Sequence, residues 1–105
     1  ASWQQALAAK AESGGDIQAV TDRQILAAYK LLATREGVFV EPASAASVAG
    51  LLQAHAQGLI GFGERVVCTV TGNGLKDPDW AIAGAPKPVT VAATAQAAAQ
   101  ALGLV

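Results

Sequence analysis

Two short stretches of this sequence carry residues whose types and spacing suit chemistry. Thr71 is followed at once by Gly72, Asn73 and Gly74, and Glu41 stands three residues before Ser44, with Pro42 and Ala43 between them. A threonine hydroxyl donates or accepts a hydrogen bond without bringing a charge. Flanking glycines permit positive φ and let backbone approach a ligand closely. Glu41 precedes a helix opening at Pro42, where proline suits the first turn and a carboxylate is favoured by the positive end of the macrodipole. The bland readings stay open on local chemistry. Thr-Gly-Asn-Gly is a good turn sequence in its own right, and it is no Walker loop, because no Lys-Ser/Thr pair follows at the required spacing. Ser44 and Ser47 serve equally as packing and capping serines, Glu41 as a helix-start acid, and Lys76-Asp77 as a solvated loop pair.

The remaining chemistry-bearing residues narrow the field. With one histidine, His55, and one cysteine, Cys68, the 105 residues cannot build a multi-imidazole or multi-thiolate zinc site. A lone cysteine makes no internal disulfide, which excludes a disulfide-built scaffold and points to a reducing, cytoplasmic setting. Seven Lys and Arg against eight Asp and Glu leave a formal charge of −1, with no electrostatic footprint for nucleic acid or an anionic membrane. No apolar run reaches the ~18–20 residues of a membrane span, and no basic stretch followed by an apolar run opens the chain, so no signal peptide is expected. The length suits one domain at most. About a quarter of the residues are alanine and only 5% are aromatic. Such a chain buries little apolar area per residue, so its core is expected to be thin and to lean on other protein surface.

The elements that must position these residues follow from pattern. A helix is expected from Ala1 to Ser13, with Ser2 as N-cap, Gln5 at capping-box spacing and Trp3, Leu7, Ala8 and Ala11 on one face, stopped by Gly14-Gly15. Asp16 to Val20 alternates like a short strand. Thr21-Asp22-Arg23-Gln24 is the clearest helix start, leading into the apolar stripe Ile25, Leu26, Ala28, Tyr29, Leu32 and Ala33 and closing at Gly37. Val38 to Val40 reads as a strand covered on both faces. The helix from about Ala43 to Gln57 opens on small residues and must lie close to backbone or ligand. Val66 to Val70 reads as a strand, Thr71 to Asp79 as a long loop, Val89 to Val91 as an edge strand, and Thr94 to Leu102 as a final helix ended by Gly103. Strand–helix alternation predicts an α/β fold with parallel strands and flanking helices. In such a sheet both stretches singled out above lie beyond the carboxyl ends of the strands, where ligands bind.

The run from Arg35 through Val38-Phe39-Val40-Glu41-Pro42-Ala43-Ser44 to Ser47, and the run Val67-Cys68-Thr69-Val70-Thr71-Gly72-Asn73-Gly74-Leu75-Lys76-Asp77-Pro78-Asp79, closely resemble the C-terminal part of the threonine synthase family. The likeness covers residues 1–80 well and the tail loosely. It implies a partial fold type II, tryptophan-synthase-β-like domain and a pyridoxal phosphate cofactor. It further implies conversion of O-phosphohomoserine and water to threonine and phosphate by γ-elimination and β-addition. By this resemblance Thr71 bonds the pyridine nitrogen, Gly72, Asn73 and Gly74 shape the wall around the ring, and Glu41 and Ser44 line the same end of the site. Catalytic residues are expected elsewhere. The lysine that carries the cofactor and the glycine-rich phosphate loop belong to upstream segments of the family, and Lys10, Lys30, Lys76 and Lys87 do not sit in that motif. The resemblance therefore implies a segment that works with the upstream part of the same enzyme, in a homodimer, and is inactive alone. A non-catalytic α/β assembly module and part of a threonine or serine dehydratase are the alternative readings.

Overall fold

The helix starting after Thr21 shows how local chemistry becomes structure here. In the computed structural model, which describes residues 2–105, the Thr21 hydroxyl accepts from the Gln24 amide at 3.3 Å. The Gln24 side-chain oxygen in turn accepts from the Thr21 amide at 2.8 Å. Two amides that a helix N-terminus leaves without partners are thereby satisfied. The element order is α1 (Trp3–Ser13), α2 (Asp22–Leu31), α3 (Pro42–Ala56), α4 (Pro78–Gly84) and α5 (Ala95–Ala101). α2 runs on into a wider π turn over Leu32–Glu36, closed by Gly37 in the left-handed region at φ +66°. A 3-10 turn over Gly74–Lys76 leads towards α4.

The core lies where α2 meets α3. Ala28 of α2 and Ala45 of α3 are completely buried, and Tyr29, Leu32, Val40 and Ala49 complete the cluster. Val20, Ile25 and Val48 pack around it. Alanine at the contact lets two backbones approach closely and leaves few methylenes to bury. No large side chain is fully buried among the described residues. A polar tie reinforces the pair: Gln24 Nε2 donates to Gln53 Oε1 at 2.8 Å, and Gln53 Nε2 donates to the Ala19 carbonyl at 3.3 Å. The chain is drawn out, with a radius of gyration of 19.1 Å, against roughly 13 Å for a compact domain of this length.

The structure corrects the expected α/β fold. Among the described residues there is no parallel sheet, and the one strand-type contact is an isolated antiparallel bridge between Val40 and Asn73. Residues 16–20, 66–70 and 89–91 are not paired in any ladder. Of the run 38–40 only Val40 is buried, while Val67 in the run 66–70 is 91% exposed. β-branched content and alternation report that a segment fits a pleated, half-buried surface, and they do not supply the partner strand. Here the extended runs do not meet one another.

Other expectations divide. α1 forms and ends at Gly14, but Ser2 makes no side-chain cap bond and the face carrying Trp3 and Leu7 buries nothing. The expected start at Ala1 lies outside the described residues. Pro42 opens α3 as expected, and Thr94 caps α5 by accepting from the Ala97 amide at 3.2 Å. The expected loop 71–79 is cut short, because α4 begins at Pro78; proline at a first helical turn was the available signal. No helix among the described residues is long and apolar enough to cross a membrane.

Two measurements check this architecture. Thr21→Ala should lower stability by about 1 kcal/mol, read by thermal or denaturant unfolding, because it removes the cap of the helix that carries Ala28. Asp16, hydrogen-bonded first by Lys10 and then by Gln18 and the Ile17 amide, has its carboxyl held down to about 2 from an ordinary 3.8. A lowered carboxyl value means the tie holding α1 to the following segment is present above about pH 4 and lost as pH falls through 2. An NMR titration should find Asp16 near this low value, and Lys10→Ala should return it towards the ordinary one.

Candidate functional site

Ser44 sits in the first turn of α3, where the small side chains expected from sequence bring the helix against the segment beginning at Thr71. The residue is 4% exposed. The Ser44 hydroxyl oxygen accepts from the Thr71 amide at 3.0 Å and from the Gly72 amide at 2.6 Å, and lies 3.0 Å from the Thr71 hydroxyl. Ser47, one turn on, donates to the Ser44 carbonyl at 3.0 Å. Thr71 itself remains exposed. Its hydroxyl meets Ser44 on the helix side and has no other partner among the described residues.

Beside this contact runs the Val40–Asn73 bridge. The Glu41 amide donates to the Gly72 carbonyl at 2.9 Å, and the Gly74 amide donates to the Phe39 carbonyl at 3.2 Å. Both glycines are buried, and the reason is steric. A Cβ on Gly72 would fall on the Glu41 carboxylate, and one on Gly74 would fall on the Phe39 ring. Neither glycine has positive φ. Their small size is spent on close approach of neighbouring side chains from this chain itself. The Phe39 ring is held further by Tyr29, with centroids 6.2 Å apart and planes tilted by 59°. Asn73 turns its side-chain oxygen to the Leu75 amide at 2.9 Å, capping the 3-10 turn.

Electrostatically the site is compensated. The Glu41 carboxylate, with its side chain 18% exposed, pairs with the Lys76 ammonium at 3.1 Å. Lys76 is the residue that sequence reasoning set aside as a solvated loop lysine. It reaches Glu41 across 35 positions, and no local signal marks such a pair. The structure therefore brings Glu41, Ser44, Thr71, Gly72, Asn73 and Gly74 into one locus, with Lys76 added. His55 and Cys68 lie outside it; Cys68 is half-buried, with its thiol 3.9 Å from the Ser47 carbonyl. No cluster of three metal-ligating side chains occurs among the described residues. A separate hollow of about 470 Å³ lies between α2 and α4, lined by Leu26, Tyr29, Phe39 and Trp80 among others. Lys30 is its one charged lining residue, so it offers no acid–base pair.

Residues 3–72 match the family model described as pyridoxal-phosphate dependent enzyme. The chain is 55% identical over all its 105 residues to a threonine synthase of Mycobacterium leprae, of which it covers 29%. It is 61% identical over 82 residues, 78% of its length, to a threonine synthase of Halalkalibacterium halodurans, covering 23% of that protein. A threonine synthase of Methanocaldococcus jannaschii is 54% identical over 86 residues, 82% of the chain and 21% of the relative. The chain thus spans less than a third of the length of these curated relatives.

Removing the Ser44 hydroxyl leaves the buried Gly72 amide without a partner. Ser44→Ala should therefore cost about 1–3 kcal/mol of stability. Hydrogen exchange at the Gly72 amide should accelerate by more than at amides of α5, which is remote from the contact.

Proposed function

This chain belongs to the pyridoxal-phosphate dependent enzyme family, and on that premise we propose that it forms the C-terminal part of a threonine synthase. The observation that carries the reading is the Ser44–Thr71–Gly72 contact, which holds one uncharged hydroxyl at an open edge. The donor set suits the cofactor's ring nitrogen: Thr71 offers a neutral hydroxyl, and the nearby Glu41 carboxylate is already paired with Lys76. The 54–61% identity to proteins named threonine synthase supports the same reading.

Pyridoxal phosphate, when bound, supplies an electron sink for chemistry at an amino-acid substrate. The work of this segment is to bind and orient it. Thr71 bonds the ring nitrogen through its hydroxyl, and a hydroxyl stabilises positive charge there less than a carboxylate would. The sink is accordingly tempered, which suits elimination and replacement. Gly72 and Gly74 let Glu41 and Phe39 close the wall behind Thr71. The substrate is O-phosphohomoserine, and the products are threonine and phosphate. The lysine that carries the cofactor and the phosphate-binding loop are contributed by polypeptide outside this segment. Exposed apolar side chains, among them Trp3, Leu7, Phe62, Val67 and Leu75, form the surface on which that polypeptide packs, since apolar area of this extent on one chain marks contact with protein. The complete enzyme is a homodimer in the cytoplasm.

The full-length enzyme carrying this segment, loaded with pyridoxal phosphate, should release threonine and inorganic phosphate in equal amounts from O-phosphohomoserine, and the isolated chain should release neither. Formation of 2-oxobutyrate from threonine as the main activity would instead assign a dehydratase. Thr71→Asp should lower threonine formation by at least tenfold and raise side products; unchanged kinetics would remove Thr71 from the site.

A further inference from the structure

Ser44 makes more hydrogen bonds than a capping or packing serine requires. A hydroxyl has one proton to donate and two lone pairs to accept with. Both lone pairs of the Ser44 oxygen are taken, by the Thr71 amide at 3.0 Å and the Gly72 amide at 2.6 Å. A backbone amide is a donor only, so neither bond can run the other way. The third contact, 3.0 Å to the Thr71 hydroxyl, is then assigned by elimination: Ser44 donates and Thr71 accepts. The proton of Thr71 has no other acceptor among the described residues. It is free for an acceptor on the exposed side, and a hydroxyl that accepts one hydrogen bond donates the next more strongly. Had the Ser44 oxygen kept a free lone pair, Thr71 could have spent its proton there and turned only lone pairs outward.

We propose that Ser44 is a positioning residue that never touches the cofactor and acts by holding the Thr71 hydroxyl as an outward-facing donor to the ring nitrogen. This rests on the reading of Thr71 above and replaces the expectation that Ser44 lines the site directly. Two features of the chain serve the arrangement. Ser44 is in the first turn of α3, which is packed on α2 through the fully buried Ala45, so its oxygen is fixed by the helix. The two amides it accepts from belong to Thr71 and its neighbour, so the same atom fixes both the position of Thr71 and the direction of its proton.

The test is a double-mutant cycle in the full-length holoenzyme, reading pyridoxal phosphate affinity by equilibrium dialysis and the ring nitrogen by 15N NMR of labelled cofactor. Thr71→Val should weaken affinity on the order of five- to tenfold, the worth of one hydrogen bond. Ser44→Ala should weaken it similarly and move the ring-nitrogen resonance away from its hydrogen-bonded position. In the Thr71→Val background, Ser44→Ala should cost less than twofold more, because its effect passes through Thr71. Equal losses in both backgrounds would mean that Ser44 merely holds the loop, and would overturn the proposal. So would an unchanged affinity and resonance in Ser44→Ala while Thr71→Val is weakened, with the reading of Thr71 left standing. An unchanged affinity in Thr71→Val sinks that reading and this inference together. Should Ser44→Ala fail to fold, Ser44→Cys, which keeps a weak donor and acceptor of similar shape, carries the same cycle with intermediate losses.

Discussion

A single hydroxyl oxygen ties together two stretches of this chain that are distant in sequence. Ser44 joins the first turn of α3 to the segment starting at Thr71, through two amides and one side-chain hydroxyl. These groups are 27 and 28 positions away in sequence, so the bonds close a long loop and must offset its entropy. They do so because the alternative is costly: Gly72 is buried, and its amide has no other partner among the described residues. The neighbouring backbone bonds between Glu41 and Gly72 and between Gly74 and Phe39 extend the same seam. Together they make a short polar join in a chain whose core buries little apolar material.

That scarcity explains the rest of the architecture. With alanine at the α2–α3 contact, close approach substitutes for bulk, and each further element contributes little burial. α1, α4 and α5 bury no residue fully. Order therefore propagates along a narrow route. The cap at Thr21 starts α2, Ala28 seats α2 against α3, and Ala45 of α3 stands next to Ser44. The thin core and the many exposed apolar side chains are two consequences of one composition.

The two glycines illustrate how one pair of positions can carry two different reasons. Thr-Gly-Asn-Gly suggests freedom of φ and room for a ligand. In the structure neither Gly72 nor Gly74 uses positive φ, and the space a Cβ would occupy holds Glu41 and Phe39. The glycines are needed because those side chains come from a segment over 30 positions earlier. Likewise Glu41 gains its partner from Lys76, which the dipole argument at a helix start does not foresee.

Local sequence determined what depends on neighbours within one turn. It determined the capping box at Thr21, proline opening α3, the glycines that stop α1 and the π turn, and the threonine cap of α5. Each rests on steric limits or hydrogen bonds spanning a few residues, so each is legible in order along the chain. Tertiary structure alone decided that the β-branched runs do not pair with one another, that Glu41 meets Lys76, and that the Ser44 hydroxyl meets Thr71 and Gly72. Pairing is a property of groups distant in sequence, set by which surfaces meet, and no local preference encodes which partner a backbone amide or a hydroxyl will find.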